Sequence, residues 1–114
     1  MIPSFSPESM GGAVFLELPF GASTSTPKMR ENIASLTGAL KAKLREAACG
    51  RFGSKVTVPE STTFILHGSD AELIYAAVSP ILNAESICAG ARVLIQQNGR
   101  VREEMVGFAR MSIN

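Results

Sequence analysis

Residues 62–82, TTFILHGSDAELIYAAVSPIL, decide the fold. Their first six residues, TTFILH, are rich in β-branched and aromatic side chains with a continuously apolar centre, which is typical of an interior strand. Ser69 and Glu72 then have the spacing of an S-x-x-E capping box, and apolar residues recur at helical spacing as far as Leu82. A buried strand followed at once by an amphipathic helix indicates a sheet covered by helices.

The same pairing of a buried strand with a helix occurs earlier in the chain. Residues 13–20, AVFLELPF, predict a first strand that is buried largely on both faces. Thr26 and Pro27 then predict the N-cap and first position of a helix, and Gly50 is expected to end that helix in a left-handed conformation. Period-two alternation over residues 55–58 predicts a further strand before the strand at residue 62.

The C-terminal part of the chain predicts a hairpin. Residues 91–97 and 100–108 read as two strands joined by Asn98-Gly99, a strong signal for a two-residue turn. The complete order, strand, helix, strand, strand, helix, strand, strand, resembles the ferredoxin-like β-α-β-β-α-β fold plus a C-terminal hairpin strand. This resemblance implies an α+β two-layer sandwich with both helices on one sheet face, and it implies no activity.

Length and composition indicate one globular domain. The chain has 114 residues, and we expect an α/β core over residues 13–108 behind an N-terminal extension over residues 1–12. Hydrophobic residues make up 46% and charged residues 18%, a balance that favours partial coverage of the surface by a second copy. The start of the chain lacks a basic leader, and no apolar run reaches 18 residues. We therefore expect a soluble cytoplasmic protein without membrane contact.

Charge is nearly balanced overall but segregated along the chain. The net charge is +1 and the pI is about 7.8, so no global field attracts nucleic acid or anionic lipid. Residues 28–55 nevertheless carry seven basic and two acidic groups. Arg30, Lys41 and Arg45 fall within about 60° of one another on the predicted first helix and form a basic strip. Such a strip suits an acidic partner or a phosphate backbone, and the alternative is a solvated flank beside the apolar stripe.

The sheet face without helices is predicted to be too apolar for exposure to water alone. Side-chain alternation places Phe15, Ile65 and Leu94 side by side on this face, together with His67 and Arg92. A contiguous apolar patch of this kind marks an interaction site. A homodimer packed sheet to sheet is the simplest occupant, and the alternative is that the N-terminal extension folds across the face.

The residues capable of chemistry are few. His67 and Ser69 precede the second helix, where an anion pocket is conceivable because a helix N-terminus attracts negative charge. Cys49 and Cys88 have no metal-ligand spacing, and structural roles are expected for both. No second catalytic partner stands at a recognisable spacing from His67. We therefore predict no catalytic residue, no metal and no cofactor.

These observations favour a small non-enzymatic protein that acts through protein contacts, as a homodimer, as a modulator of a partner protein, or as both. One alternative is a small enzyme or a small-ligand or anion-binding protein that uses His67 and the start of the second helix. A second alternative is a weak nucleic-acid binder. The aromatic pattern with which RNA recognition motifs stack bases is absent from the third strand, so nucleic acid is the least favoured partner.

Overall fold

A computed structural model describes residues 11–23 and 26–106, and this part of the chain contains five strands and two α-helices. The elements are β1 (Gly12–Leu18), α1 (Pro27–Ala47), β2 (Arg51–Thr57), β3 (Thr62–Gly68), α2 (Ala71–Ala84), β4 (Arg92–Gln97) and β5 (Arg100–Met105). A short 3-10 turn over Ser86–Cys88 connects α2 with β4. Most of the predicted N-terminal extension, residues 1–10, and the last two residues of the predicted final strand lie outside the described residues.

The five strands form one antiparallel sheet in the order β2-β3-β1-β4-β5. The α+β class predicted from the sequence is confirmed. β1 is the middle strand and pairs with β3 on one side and with β4 on the other, so the two most apolar strands are both interior. The hairpin turn between β4 and β5 is also confirmed, since Asn98 and Gly99 have φ of 51° and 85°.

The core lies between one face of the sheet and the two helices. Burial alternates along β1 from residue to residue, with Val14, Leu16 and Leu18 turned inward. Both helices bury one stripe, and their buried residues belong to the same cluster as the inward residues of the sheet. Because all of the buried strand residues share one face, the described residues form two layers, and none of their helices lies on the second sheet face.

The start of α1 agrees with the sequence, and its end does not. The hydroxyl of Thr26 accepts a hydrogen bond from the amide of Met29 at 3.1 Å, and Pro27 occupies the first helical position. The left-handed residue that ends the helix is Ala48, with φ of 54°, and not Gly50. A Cβ at Gly50 would overlap the carbonyl oxygen of His67, so this glycine allows a close approach of backbones instead.

The N-cap of α2 is Asp70, so the predicted assignment of this position to Ser69 is wrong. One carboxylate oxygen of Asp70 accepts hydrogen bonds from the amides of Glu72 at 3.0 Å and Leu73 at 3.3 Å. The amide of Ala71 is bound at 2.6 Å by the side-chain oxygen of Gln97 from β4. The helix begins one residue later than the capping box predicts because Asp70 and Gln97 together satisfy the amides of its first turn.

The second strand begins at Arg51, four residues before the predicted alternation. It lies at the edge of the sheet, and only Phe52 among its seven residues is partly buried. The register with β3 shifts between Phe52 and Ser54, which leaves Gly53 as the extra residue of a bulge. An exposed edge strand with a bulge has no regular hydrophobic period, so its first half carries no sequence signal.

Candidate functional site: the open face of the sheet

The centre of the helix-free face, called here the open face, is an apolar row across three strands. Phe15 of β1 stands directly opposite Ile65 of β3 and Leu94 of β4 in the antiparallel register. All three side chains are half-buried, unlike the fully buried inward residues beside them. Direct cross-strand neighbours lie about 5 Å apart, so the three side chains form one continuous patch.

Exposed apolar side chains extend this patch to both edges of the sheet. In the register, Val56 of β2 and Met105 of β5 fall in the row of Glu17, and Val101 of β5 falls in the row of Ala13. Their exposed fractions are 47% for Val56, 45% for Met105 and 60% for Val101. They are three of the five most exposed large hydrophobic residues in the described part of the chain, and all three share the open face.

An ion-pair cluster lies at one end of the open face. The guanidinium of Arg92 donates two hydrogen bonds to one carboxylate oxygen of Glu17, at 2.8 and 3.1 Å, and lies 3.9 Å from Glu103. The hydrogen bond to Glu17, reinforced by both negative charges, raises the pKa of Arg92 above its usual value. Arg92 therefore stands on the predicted face, but its charge is already compensated by neighbours in the same sheet.

His67 stands at the opposite end of the open face, in register with Ala13 of β1 and Arg51 of β2. Its imidazole lies over the bulge of β2, since a Cβ at Gly53 would overlap the ring. The glycine therefore makes the room that His67 occupies.

The predicted partner of His67, Ser69, is exposed, and its carbonyl accepts a hydrogen bond from Gln97 at 3.1 Å. Asp70 and Gln97 bind the first three amides of α2. His67 and Ser69 are close in sequence, but the first turn of α2 has no free amide that could bind an anion.

The predicted basic strip lies in the helical layer and is separate from the open face. Arg30, Lys41 and Arg45 are all exposed on α1. The ammonium of Lys41 lies 5.2 Å from the centre of the Phe52 ring of β2, a cation-π distance. The strip therefore faces the groove between α1 and the edge strand.

The two cysteines are free thiols with different exposure. Cys88 is fully buried and Cys49 is half-buried. Burial, followed by the negative charge of Glu85, raises the pKa of the Cys88 thiol from 9.0 to about 12. Because the thiolate is the reactive form, this pKa makes Cys88 a poor nucleophile at neutral pH.

The described residues contain no group of three or more histidine, cysteine, aspartate or glutamate side chains arranged to hold a metal ion. In residues 11–23 and 26–106, neither helix has the length and apolarity that a membrane crossing requires. Comparisons with known proteins add no relative: no family model, no curated protein and no solved structure matches the chain.

The sequence located the centre of the open face but missed its edges. Val56 was predicted to lie in a strand, but its face could not be assigned without the pairing of β2 with β3. Val101 and Met105 depend in the same way on the register of the β4–β5 hairpin. The turn at Asn98-Gly99 was the available signal, because a two-residue turn sets which residues stand opposite each other.

Proposed function

We propose that this is a non-enzymatic protein of ferredoxin-like fold that acts through protein contacts, with the open face as the interface of a homodimer. The strand order β2-β3-β1-β4 and a helix after β1 and after β3 support the fold assignment. The two free thiols support a reducing compartment, and we propose the cytoplasm as its location. A modulating role toward a second protein belongs to the same proposal.

The observation that carries the proposal is the row Ile65–Phe15–Leu94 at the centre of a helix-free sheet face. β1 is the middle strand, so Phe15 lies near the centre of the face, and the ion pairs of Arg92 lie toward its end. An apolar centre with a polar rim is the usual anatomy of a protein interface. A two-fold dimer uses the same patch twice, so one such face is sufficient.

The size of the open face suits a stable dimer. Strands spaced about 4.8 Å apart, with a rise of about 3.3 Å per residue, give five strands of six or seven residues a projected area of roughly 520 Å². Two copies that cover the whole face would bury about 1,050 Å² together, which reaches the roughly 1,000 Å² that separates specific interfaces from incidental contacts.

The test is to place a charge at the centre of the open face. The variant Ile65→Asp should remain folded, because the side chain is half-buried, and should have the mass of one 12.1 kDa chain in light scattering. The wild type should have a mass of about 24 kDa. A dimer that survives this substitution contradicts the proposed interface.

A matched pair of leucines provides the control. Leu94→Asp changes the open face, whereas Leu73→Asp makes the same chemical change at a 57% exposed position on α2, in the helical layer. We expect Leu94→Asp to be monomeric and Leu73→Asp to remain dimeric. If both variants dissociate, the effect is a general consequence of added charge, and the assignment of the interface to the open face is refuted.

A further inference from the structure

A groove with basic walls runs between α1 and the edge strand β2. At one end, Lys41 and Arg45 of α1 face Arg51 and Phe52 of β2 across a depression of about 320 Å³. At the other end, Arg30 of α1 and Lys55 of β2 line a second depression of about 270 Å³. The two depressions lie along the same pair of elements and carry four cationic side chains on the helical side of the sheet, since Arg51 stands in register with His67, whose side chain lies on the open face.

Three cations of this groove have no ion-pair partner in the described part of the chain. Lys41, Arg45 and Lys55 are exposed, and each lacks a carboxylate within ion-pair distance among these residues. By contrast, Arg102 in the other half of the sheet forms ion pairs with both Glu72 and Glu104. Like charges gathered without counter-charges repel one another, and an anionic ligand would relieve this repulsion.

The outer wall of the groove is a strand with an unpaired edge. Within residues 11–23 and 26–106, β2 is the last strand of the sheet on its side and pairs only with β3, so its other edge presents backbone donors and acceptors that no described strand binds. Its seven residues span about 23 Å. Arg30 and Arg45 lie about 22 Å apart along α1, so the basic helix wall and the free strand edge have the same length.

The aromatic ring in the groove, that of Phe52, is already in contact with other side chains of the protein. Lys41 lies over the ring of Phe52, which also makes an edge-on contact with Phe64 at a centroid distance of 6.0 Å. Proteins that bind single-stranded nucleic acid offer exposed aromatic faces on which bases stack. The groove therefore provides charge and a strand edge but no stacking platform, and this combination favours a polypeptide ligand.

We propose that the groove binds an acidic, extended polypeptide segment, which pairs with β2 as a sixth strand and places its carboxylates against Lys41, Arg45 and Lys55. Strand addition supplies main-chain hydrogen bonds, and the charged walls select acidic side chains. The inference rests on the proposed function in one respect, that the protein acts through protein contacts. It uses a different surface from the dimer, so the two can fail separately.

The direct test is fluorescence anisotropy at low ionic strength with a labelled heptapeptide of alternating threonine and glutamate. In an extended strand this peptide puts all of its carboxylates on one side. A control peptide with proline in place of threonine keeps the charge but loses main-chain donors. We expect saturable binding of the first peptide and at least tenfold weaker binding of the second. Equal binding of both peptides, or of neither, overturns the proposal.

Charge-matched variants then locate the site. Arg45→Gln combined with Lys55→Gln should weaken binding of the threonine-glutamate peptide about tenfold or more. Lys28→Gln combined with Lys43→Gln removes the same charge from residues that do not line the groove, and it should change binding less than twofold. Equal weakening by both double variants would show a general charge effect and contradict the assignment to the groove.

Two further measurements distinguish peptide binding in the groove from nucleic-acid binding and from peptide binding on the open face. A labelled oligothymidylate that binds more tightly than the acidic peptide, and whose binding also depends on Arg45 and Lys55, overturns the peptide assignment in favour of nucleic acid. Ile65→Asp should bind the peptide with unchanged affinity whatever its mass in solution. Loss of peptide binding in folded Ile65→Asp would place the peptide on the open face and refute the groove.

Discussion

The side chain of Gln97 ties the end of β4 to the start of α2, and its removal gives a sharp prediction. Its oxygen accepts from the amide of Ala71 at 2.6 Å, and its nitrogen donates to the carbonyl of Ser69 at 3.1 Å. Gly12 of β1 makes the room, since a Cβ there would lie 2.9 Å from the Gln97 oxygen and 2.5 Å from the Ala71 nitrogen. Three elements therefore meet at one amide group.

The expected cost of Gln97→Met follows from these contacts. Methionine preserves most of the side-chain volume but removes both hydrogen bonds, each with a net contribution of about 1 kcal/mol. Ala71 is fully buried, and an unpaired amide in such a position costs roughly 1–3 kcal/mol. We expect a loss of about 2–3 kcal/mol in the free energy of unfolding. Gln97→Glu keeps the acceptor for Ala71 and should lose about 1 kcal/mol.

The assay is urea unfolding followed by circular dichroism at one protein concentration. The urea concentration at the midpoint should fall, but the m-value, the slope of the unfolding free energy against urea concentration, should not change, since the surface exposed on unfolding stays the same. Gln96→Met is the control, because the preceding side chain points to the open face. A wild-type midpoint for Gln97→Met, or an equal loss in Gln96→Met, would refute the reasoning.

Three further predictions concern the caps and the thiols. Asp70→Ala should lower the free energy of unfolding by about 1 kcal/mol and Ser69→Ala much less, because Asp70 is the N-cap. Thermal or urea unfolding measures both losses. A larger loss for Ser69→Ala than for Asp70→Ala would make Ser69 the N-cap. Ala48→Gly should raise the free energy of unfolding by about 1 kcal/mol, because glycine adopts the left-handed conformation without strain. A lower free energy of unfolding would contradict a left-handed residue at this cap. Native protein should react with a thiol reagent at Cys49 and not at Cys88 until it unfolds. Since folding raises the pKa of Cys88 from 9.0 to about 12, the folded chain keeps a proton that the unfolded chain releases, and stability should fall as the pH rises through this range. A variant Cys88→Ala with the same pH dependence as the wild type would contradict this cause.

Elements with a strong local period could be predicted from the sequence. The helical spacing after Pro27 and the alternation over β1 each report a face that is buried along its whole length. The Asn98-Gly99 turn also has a local signal, because asparagine and glycine both tolerate the positive φ that the turn requires. For the same reason, the row of Phe15 with Ile65 and Leu94 followed once the strands were placed.

Features that depend on contacts distant in sequence could not be predicted. Gln97 caps a helix whose first residue lies 26 positions earlier, and no local pattern reports such a contact. The basic strip on α1 was visible in the sequence, but its continuation through Lys55 requires the position of β2 beside it. Ser69 and Gly50 fit the local rules for caps, but the residues that cap the helices are Asp70, one residue after Ser69, and Ala48, two residues before Gly50.

The most direct test of the central claim is the mass of the wild-type protein in solution, measured by light scattering at two concentrations in low and in high salt. An apolar sheet face predicts a dimer of about 24 kDa, twice the 12.1 kDa chain, that persists in high salt because burial of apolar surface is not screened. A mass of 12.1 kDa at both concentrations would contradict the claim that the open face joins two copies.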